Sequence, residues 1–287
     1  MALVGISWFF VFKYIPMIGI VISFQDYRPW TGILGSEWVG FEHFIRFFNS
    51  YYFFRLLRNT LIISLGKILF GMPIPIIFAL LLNEVRNKTF KKVVQTVTYF
   101  PHFLSWVVVG GLAIALLSPS DGPVNAIRAA LGLESIYYMI EPEYFRPLLI
   151  GTSVWKGFGW NSILYLAAIT TIDPQLYEAA EIDGASRLQR VFRITLPHLV
   201  PIAVLLLTLS LGRILNEDFN QILMFMGNNA QLYEVGDVLE TYVYREGLLN
   251  ANYSFAAAVG LFKGFVGLGL VMTFNWVARK LGQTALW

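Results

Sequence analysis

Between two strongly apolar stretches the chain reads 178-EAAEIDGASRLQRVFRITLP-197, a run that holds acidic and basic residues where its neighbours hold almost none. Just ahead of it, Asp173-Pro174 is a helix start: a side-chain oxygen to cap free amides, and a ring whose fixed φ suits the first turn. Gln175 to Ile182 continues without a breaker, and Gly184 supplies a turn. Ser186 followed three residues later by Gln189 predicts a capping box, opening a second helix that runs to Leu196 and is closed by Pro197. The expectation is a helix-turn-helix hook, with Ala179, Ala180 and Ala185 allowing a partner surface to approach and Glu178 and Asp183 offering charge. The competing reading is a solvated, charged loop.

The surroundings of the hook set the class. Of 287 residues, 56% are hydrophobic, 16% aromatic and only 14% charged, with a mean hydropathy of +0.61. A soluble domain carries about a quarter charged residues, so this is an all-α integral membrane protein. A formal net charge of +3 and a pI near 9.0 fit basic cytoplasmic loops, and no aromatic-interleaved basic patch points to nucleic acid. The absence of cysteine excludes disulfides, thiolate metal sites and a cysteine nucleophile.

About six stretches are long enough to cross a hydrocarbon core of roughly 30 Å, near 3–24, 58–82, 93–117, 148–170, 198–215 and 256–278. The third is interrupted by Pro101 and His102. The first lacks the basic flank and small-residue cleavage site of a removable signal, so it reads as a retained helix, compatible with a longer native N-terminus. Three regions follow: residues 1–57 as a first span and outer interfacial segment, 58–280 as a core containing the loop 173–197, and 281–287 as a tail. In the outer segment Phe41, Phe44, Phe48, Tyr51 and Tyr52 approximate a helical stripe suited to the membrane interface. Asp121-Gly122-Pro123 predicts a turn followed by a short helix over 124–131.

Orientation follows from loop charge. Arg86, Lys88, Lys91 and Lys92, then Arg187, Arg190 and Arg193, then Arg279 and Lys280 mark three cytoplasmic segments, while the connections at 119–147 and 213–252 are more acidic. Both termini are therefore expected in the cytoplasm. One conflict stands: the first outer connection holds Arg28, Arg46, Arg55 and Arg58.

Chemistry-bearing groups are sparse. Gly260, Gly264, Gly267 and Gly269 lie in an apolar span without the Lys-Ser/Thr ending of a phosphate loop, and read as small residues for helix packing. His43, His102 and His198 are scattered and form no metal pair. Lys67, Lys156 and Lys263 lie inside spans whose interiors contain no acid, which makes them candidates for a substrate path, with snorkelling as the alternative. Trp155, Lys156, Trp160, Asn161 and Tyr165 share one span and offer ring faces and amides of the kind that hold sugars; interfacial anchoring is the alternative. An all-basic interior favours an anionic substrate.

The hook also resembles a known family. EAA, DGA, Phe192, Ile194 and Leu196-Pro197 at this spacing look like the EAA loop of bacterial ABC importer permeases, the binding-protein-dependent membrane subunits. Phe12 to Met17, Val39-Gly40-Phe41 with His43-Phe44, Tyr99 to Phe103, and Trp155-Lys156 with Gly159-Trp160 are similar to the sugar-importer branch, most of all to the LplB-type subunits that serve complex oligosaccharides, among them the alginate importer's permease. The resemblance implies the type I importer permease fold and no catalytic, cofactor or metal site on this chain. It implies a second homologous permease, expected as a heterodimer, two ATPase subunits that bind ATP and magnesium, an extracytoplasmic solute-binding protein, and a place in the bacterial inner membrane. Glu178, Ala179, Ala180, Asp183, Gly184 and Ala185 would dock into the ATPase, driving alternating access. Two rival classes are an ion-coupled secondary carrier, which needs intramembrane carboxylates, and a membrane enzyme acting on lipid-linked sugars, which needs clustered acid-base or metal groups.

Overall fold

The computed structural model describes all residues except Met1, Asn228, 283–285 and Trp287. It is helical almost throughout, because a chain in lipid must satisfy its backbone hydrogen bonds within each segment. Helix α1, Leu3–Phe24, is apolar apart from Lys13, and residues 3–18 are exposed throughout. A two-residue antiparallel pair, β1 (Gln25–Asp26) with β2 (Glu37–Trp38), leads to α2, Glu42–Phe48. Phe41, Phe48 and Tyr51 are exposed, Phe44 is half-buried against Phe24, and Phe47, outside the stripe, is fully buried against Phe53, Phe255 and Phe262.

The second span is α3 (Phe53–Gly71) followed by α4 (Pro73–Asn83), interrupted where Pro73 lacks an amide to continue the ladder. The third expected span is not a single helix. Lys88–Phe103, which contains α5 (Lys88–Tyr99), and α6 (Trp106–Leu117) meet at 105°. Leu104 and Ser105 are extended, and the Ser105 hydroxyl caps the new helix by accepting from the Val108 amide at 3.3 Å. After α7 (Pro123–Ala130), in the position predicted by the turn, comes α8, Pro142–Thr170, six residues longer at its start than expected.

The hook comprises α9 (Pro174–Ile182) and the start of α10, Arg187–Gly212. Pro197 does not end that helix; it sits just after a wide π turn over Val191–Thr195, and the same helix continues as the fifth span. Three short helices follow, α11 (Phe219–Met226), α12 (Tyr233–Gly236) and α13 (Leu239–Tyr244), before α14, Tyr253–Lys280.

Among the described residues four helices are long and apolar enough to cross a membrane, five if the bent pair counts as one span. α8 is not among these four although it has 29 residues. It packs against α3, α4, α5 and α10 through Phe145, Leu149, Ser162, Tyr165 and Ile169, while Trp155, Trp160 and Leu164 stay exposed. Of the four glycines in α14, only Gly267 makes a close approach: a Cβ there would come within 2.4 Å of the Gly212 carbonyl oxygen.

Residues 213–252, expected as an outer connection, form part of the core. Ile222 and Phe225 pack with Ile63, Phe145 and Leu149, while Leu239 packs with Phe47, Leu56 and Phe255. Asp237 is fully buried, held by Arg245 at 2.7 Å, Arg55 at 3.6 Å and the Thr241 hydroxyl at 2.8 Å. Burial works against the Arg245 charge, but Asp237 outweighs it and raises that guanidinium above the usual arginine range. Arg58 pairs with Glu234 at 3.0 Å, and the Asn59 amide donates to the carbonyls of Glu234 and Asp237. In the connection after α1, Arg55 and Arg58 pair with Glu234, Arg28 pairs with Asp26, and Arg46 lies over the Phe255 ring.

Candidate functional site

The hook is built by local rules. Asp173 Oδ1 accepts from the Gln175 amide at 2.9 Å, opening α9. At its far end the Gly184 amide donates to Glu181 O at 3.1 Å and the Ala185 amide to Ala180 O at 2.8 Å, which is a Schellman closure. It requires φ of +76° at Gly184, where a Cβ would meet no atom within 4 Å. Glycine is thus demanded by the backbone angle, not by crowding inside the chain. The predicted capping box is present: the Ser186 amide donates to Gln189 Oε1 at 2.7 Å, and the Gln189 amide to Ser186 Oγ at 3.3 Å. Arg190–Glu181 at 3.0 Å and Tyr177–Thr195 at 2.8 Å brace one helix on the other.

What the hook presents is unusual for a surface turn. Ile182 is 87% exposed and Leu188 69% exposed, with Leu176 and Phe192 also open. Glu178, Ala179, Asp183 and Gly184 are exposed, and Ala180 and Ala185 half-buried. Ala180, Asp183, Gly184, Ala185 and Gln189 line a shallow recess of about 280 Å³. Exposed apolar residues around small residues and unpaired carboxylates make a surface suited to a protein partner.

The residues proposed for a substrate path do not form one group. At the bend between α5 and α6, Lys156 Nζ donates to His102 O at 2.6 Å and lies 5.4 Å from the Trp106 ring centroid. The His102 ring stacks on Trp160 at 4.6 Å, Phe103 meets the same ring edge-on at 5.4 Å, and the Trp106 indole N–H donates to Asp218. Trp160 and Phe103 are exposed, so their ring faces are accessible. Asn161 faces away from this shelf, into a polar recess of about 210 Å³ with Lys67, Ser153, Gly157 and Ser210. Trp155 is exposed and makes no ring contact among the described residues, and Tyr165 is buried with Ala79, Ile169 and Leu199 in an apolar cluster.

The expectation of lone interior cations is corrected at two positions. Lys67 is paired with Glu217, whose other oxygen lies 2.6 Å from the Ser64 hydroxyl. Lys263, only 6% exposed, pairs with Glu240 at 2.5 Å. Both acids come from the 213–252 segment, outside the spans in sequence and beside them in space. Of the three lysines, Lys156 has no carboxylate within ion-pair distance among the described residues. Sequence reasoning missed Trp106, Asp218 and Glu217; the signal was the Glu217-Asp218 pair placed directly after an apolar span, and the kink around Pro101.

A bundle of apolar helices packed against the long helix α8, carrying a hook with an exposed apolar and acidic rim, defines a multi-spanning membrane protein. Residues 71–284 match the family of binding-protein-dependent transport system inner membrane components, and the chain belongs to that family. It is 48% identical over 287 residues to the polygalacturonan/rhamnogalacturonan transport system permease protein YteP of Bacillus subtilis, covering all of this chain and 89% of that one. A crystal structure of a bacterial ABC transporter that imports the acidic polysaccharide alginate aligns with a TM-score of 0.89 at 44% identity, over 98% of this chain and 94% of that chain. The bacterial alginate ABC transporter in complex with an alginate pentasaccharide-bound periplasmic protein aligns at 0.90 and 43% identity, over 100% and 95%. The family places this chain among transport permeases and not among enzymes. Glu217 and Glu240 lie beside the spans, but the family is that of binding-protein-dependent permeases and not of ion-coupled carriers.

Proposed function

We propose that this chain is the membrane-spanning subunit of an ATP-driven importer of acidic oligosaccharides, working with a second permease, two ATPase subunits that carry ATP and magnesium, and an extracytoplasmic solute-binding protein. Residues 58–280 form the permease core, 1–57 a leading span with an outer arm, and 281–287 a tail. Both termini and the hook face the cytoplasm. The observation that carries the reading is the hook, whose only left-handed residue, Gly184, presents Glu178, Ala179, Ala180, Asp183 and Ala185 on an open surface flanked by Ile182 and Leu188. Closure of the ATPases on ATP pulls this joint, and because α10 runs unbroken from the hook into the fifth span, the pull reaches the transmembrane helices directly.

The choice of an acidic sugar is supported by the relatives' described substrates and by Lys156, which stands beside the His102–Trp160 shelf without a carboxylate partner. Ring faces stack on the CH-rich planes of a sugar while the ammonium meets its carboxylate. Lys67 and Lys263, already paired, contribute little net charge, and Trp155, Asn161 and Tyr165 stand apart from the shelf.

Retention of an ATPase by the tagged chain in mild detergent, and its loss in Gly184→Asp with the second permease still bound, is the expected result. Unchanged retention in the variant overturns the docking role. For the path, Lys156→Ala should weaken uptake of a uronate oligosaccharide about tenfold more than that of a neutral one of equal length; equal loss removes the electrostatic part.

A further inference from the structure

An apolar groove of about 930 Å³ runs between the second span and the start of α10. Leu69, Ile76 and Ile77 line one side, Val191 and Leu196 the other, and Glu84 and Arg187 stand with them at the hook end. Both charges are exposed, and neither lies within ion-pair distance of the other or of any other described residue. By contrast, Glu181 and Arg190 nearby are paired at 3.0 Å.

We propose that this groove binds a phospholipid with a primary-amine, zwitterionic headgroup, its acyl chains along Leu69 to Ile77, its phosphate at Arg187 and its ammonium at Glu84. The walls belong to two helices long and apolar enough to cross a membrane, so hydrocarbon is the ordinary neighbour at this depth. Opposite charges that flank one opening without meeting each other match a headgroup carrying both signs. A purely anionic headgroup would gain Arg187 and be repelled by Glu84, and a quaternary amine has no N–H to donate to that carboxylate. The lipid would touch the span and the hook helix together, so headgroup composition becomes a control on how firmly α10 follows the hook.

The test is native mass spectrometry of the full chain with its co-purifying subunits, stripped of lipid and titrated separately with dioleoyl phosphatidylethanolamine, phosphatidylcholine and phosphatidylglycerol. Phosphatidylethanolamine should be retained about tenfold more tightly than the other two. Glu84→Gln should reduce it to the phosphatidylcholine level, and Arg187→Ala should weaken all three. Ile77→Trp, which fills the groove from an exposed position, should abolish retention with the thermal midpoint unchanged. Equal retention of the three lipids, or retention indifferent to all three variants, overturns the proposal. So does loss of the second permease from the Ile77→Trp preparation with lipid still held, which would make the occupant a protein.

Discussion

The hook at 173–195 and the segment at 213–252 have the same ingredients, since both link apolar spans, carry acids and bases together, and contain short helices. They end in opposite conditions. In the hook no charged residue is buried, and the longest of its bracing bonds, Tyr177 to Thr195, joins residues 18 apart. In the second segment Asp237 is fully buried, and Glu234 reaches Arg58 across 176 residues. A buried charge is tolerable only when its partners are fixed around it, whereas an exposed one leaves its surface free for another protein. One segment is held by its own chain, and the other is available to a partner.

Substitutions that break this contrast should be ranked by how much each site depends on distant partners. Asp237→Ala leaves Arg55 and Arg245 facing each other without their carboxylate, and thermal unfolding in detergent should show a loss of about 3–5 kcal/mol. A loss below about 1 kcal/mol would put the segment in the same class as the hook. Lys67→Met strands Glu217 and should cost roughly 1–3 kcal/mol, most of it recovered in the double variant with Glu217→Met. No recovery would mean that the two charges act separately. Gly184→Val meets open space but must hold a left-handed backbone, at about 1–2 kcal/mol. Ser186→Ala loses the capping box, costing about 1 kcal/mol, visible as faster amide exchange confined to 186–190. Spread of that effect into the spans would show that the hook is not locally built.

The same contrast explains what was legible beforehand. Asp173, Gly184, Ser186 and Gln189 act within a few residues of their own position, so their roles could be read from spacing. The shelf of Lys156, His102, Trp160 and Trp106 joins α8 to a bend some 54 residues away, and only part of it was recognised. Pro101 marks the break in the third span but does not specify its 105° angle, and the start of α8, with Glu143 and Arg146, is too polar to be read from hydropathy.

By itself the sequence determined the membrane class, the approximate spans and the hook, because hydropathy, capping and a positive φ at glycine are properties of neighbours along the chain. Only the tertiary structure decided that Lys67 and Lys263 are neutralised, that Lys156 is not, and that 213–252 belongs to the core. Charge pairing depends on separation in space, and Glu217 lies 150 residues from Lys67. No pattern local to either residue records that they meet.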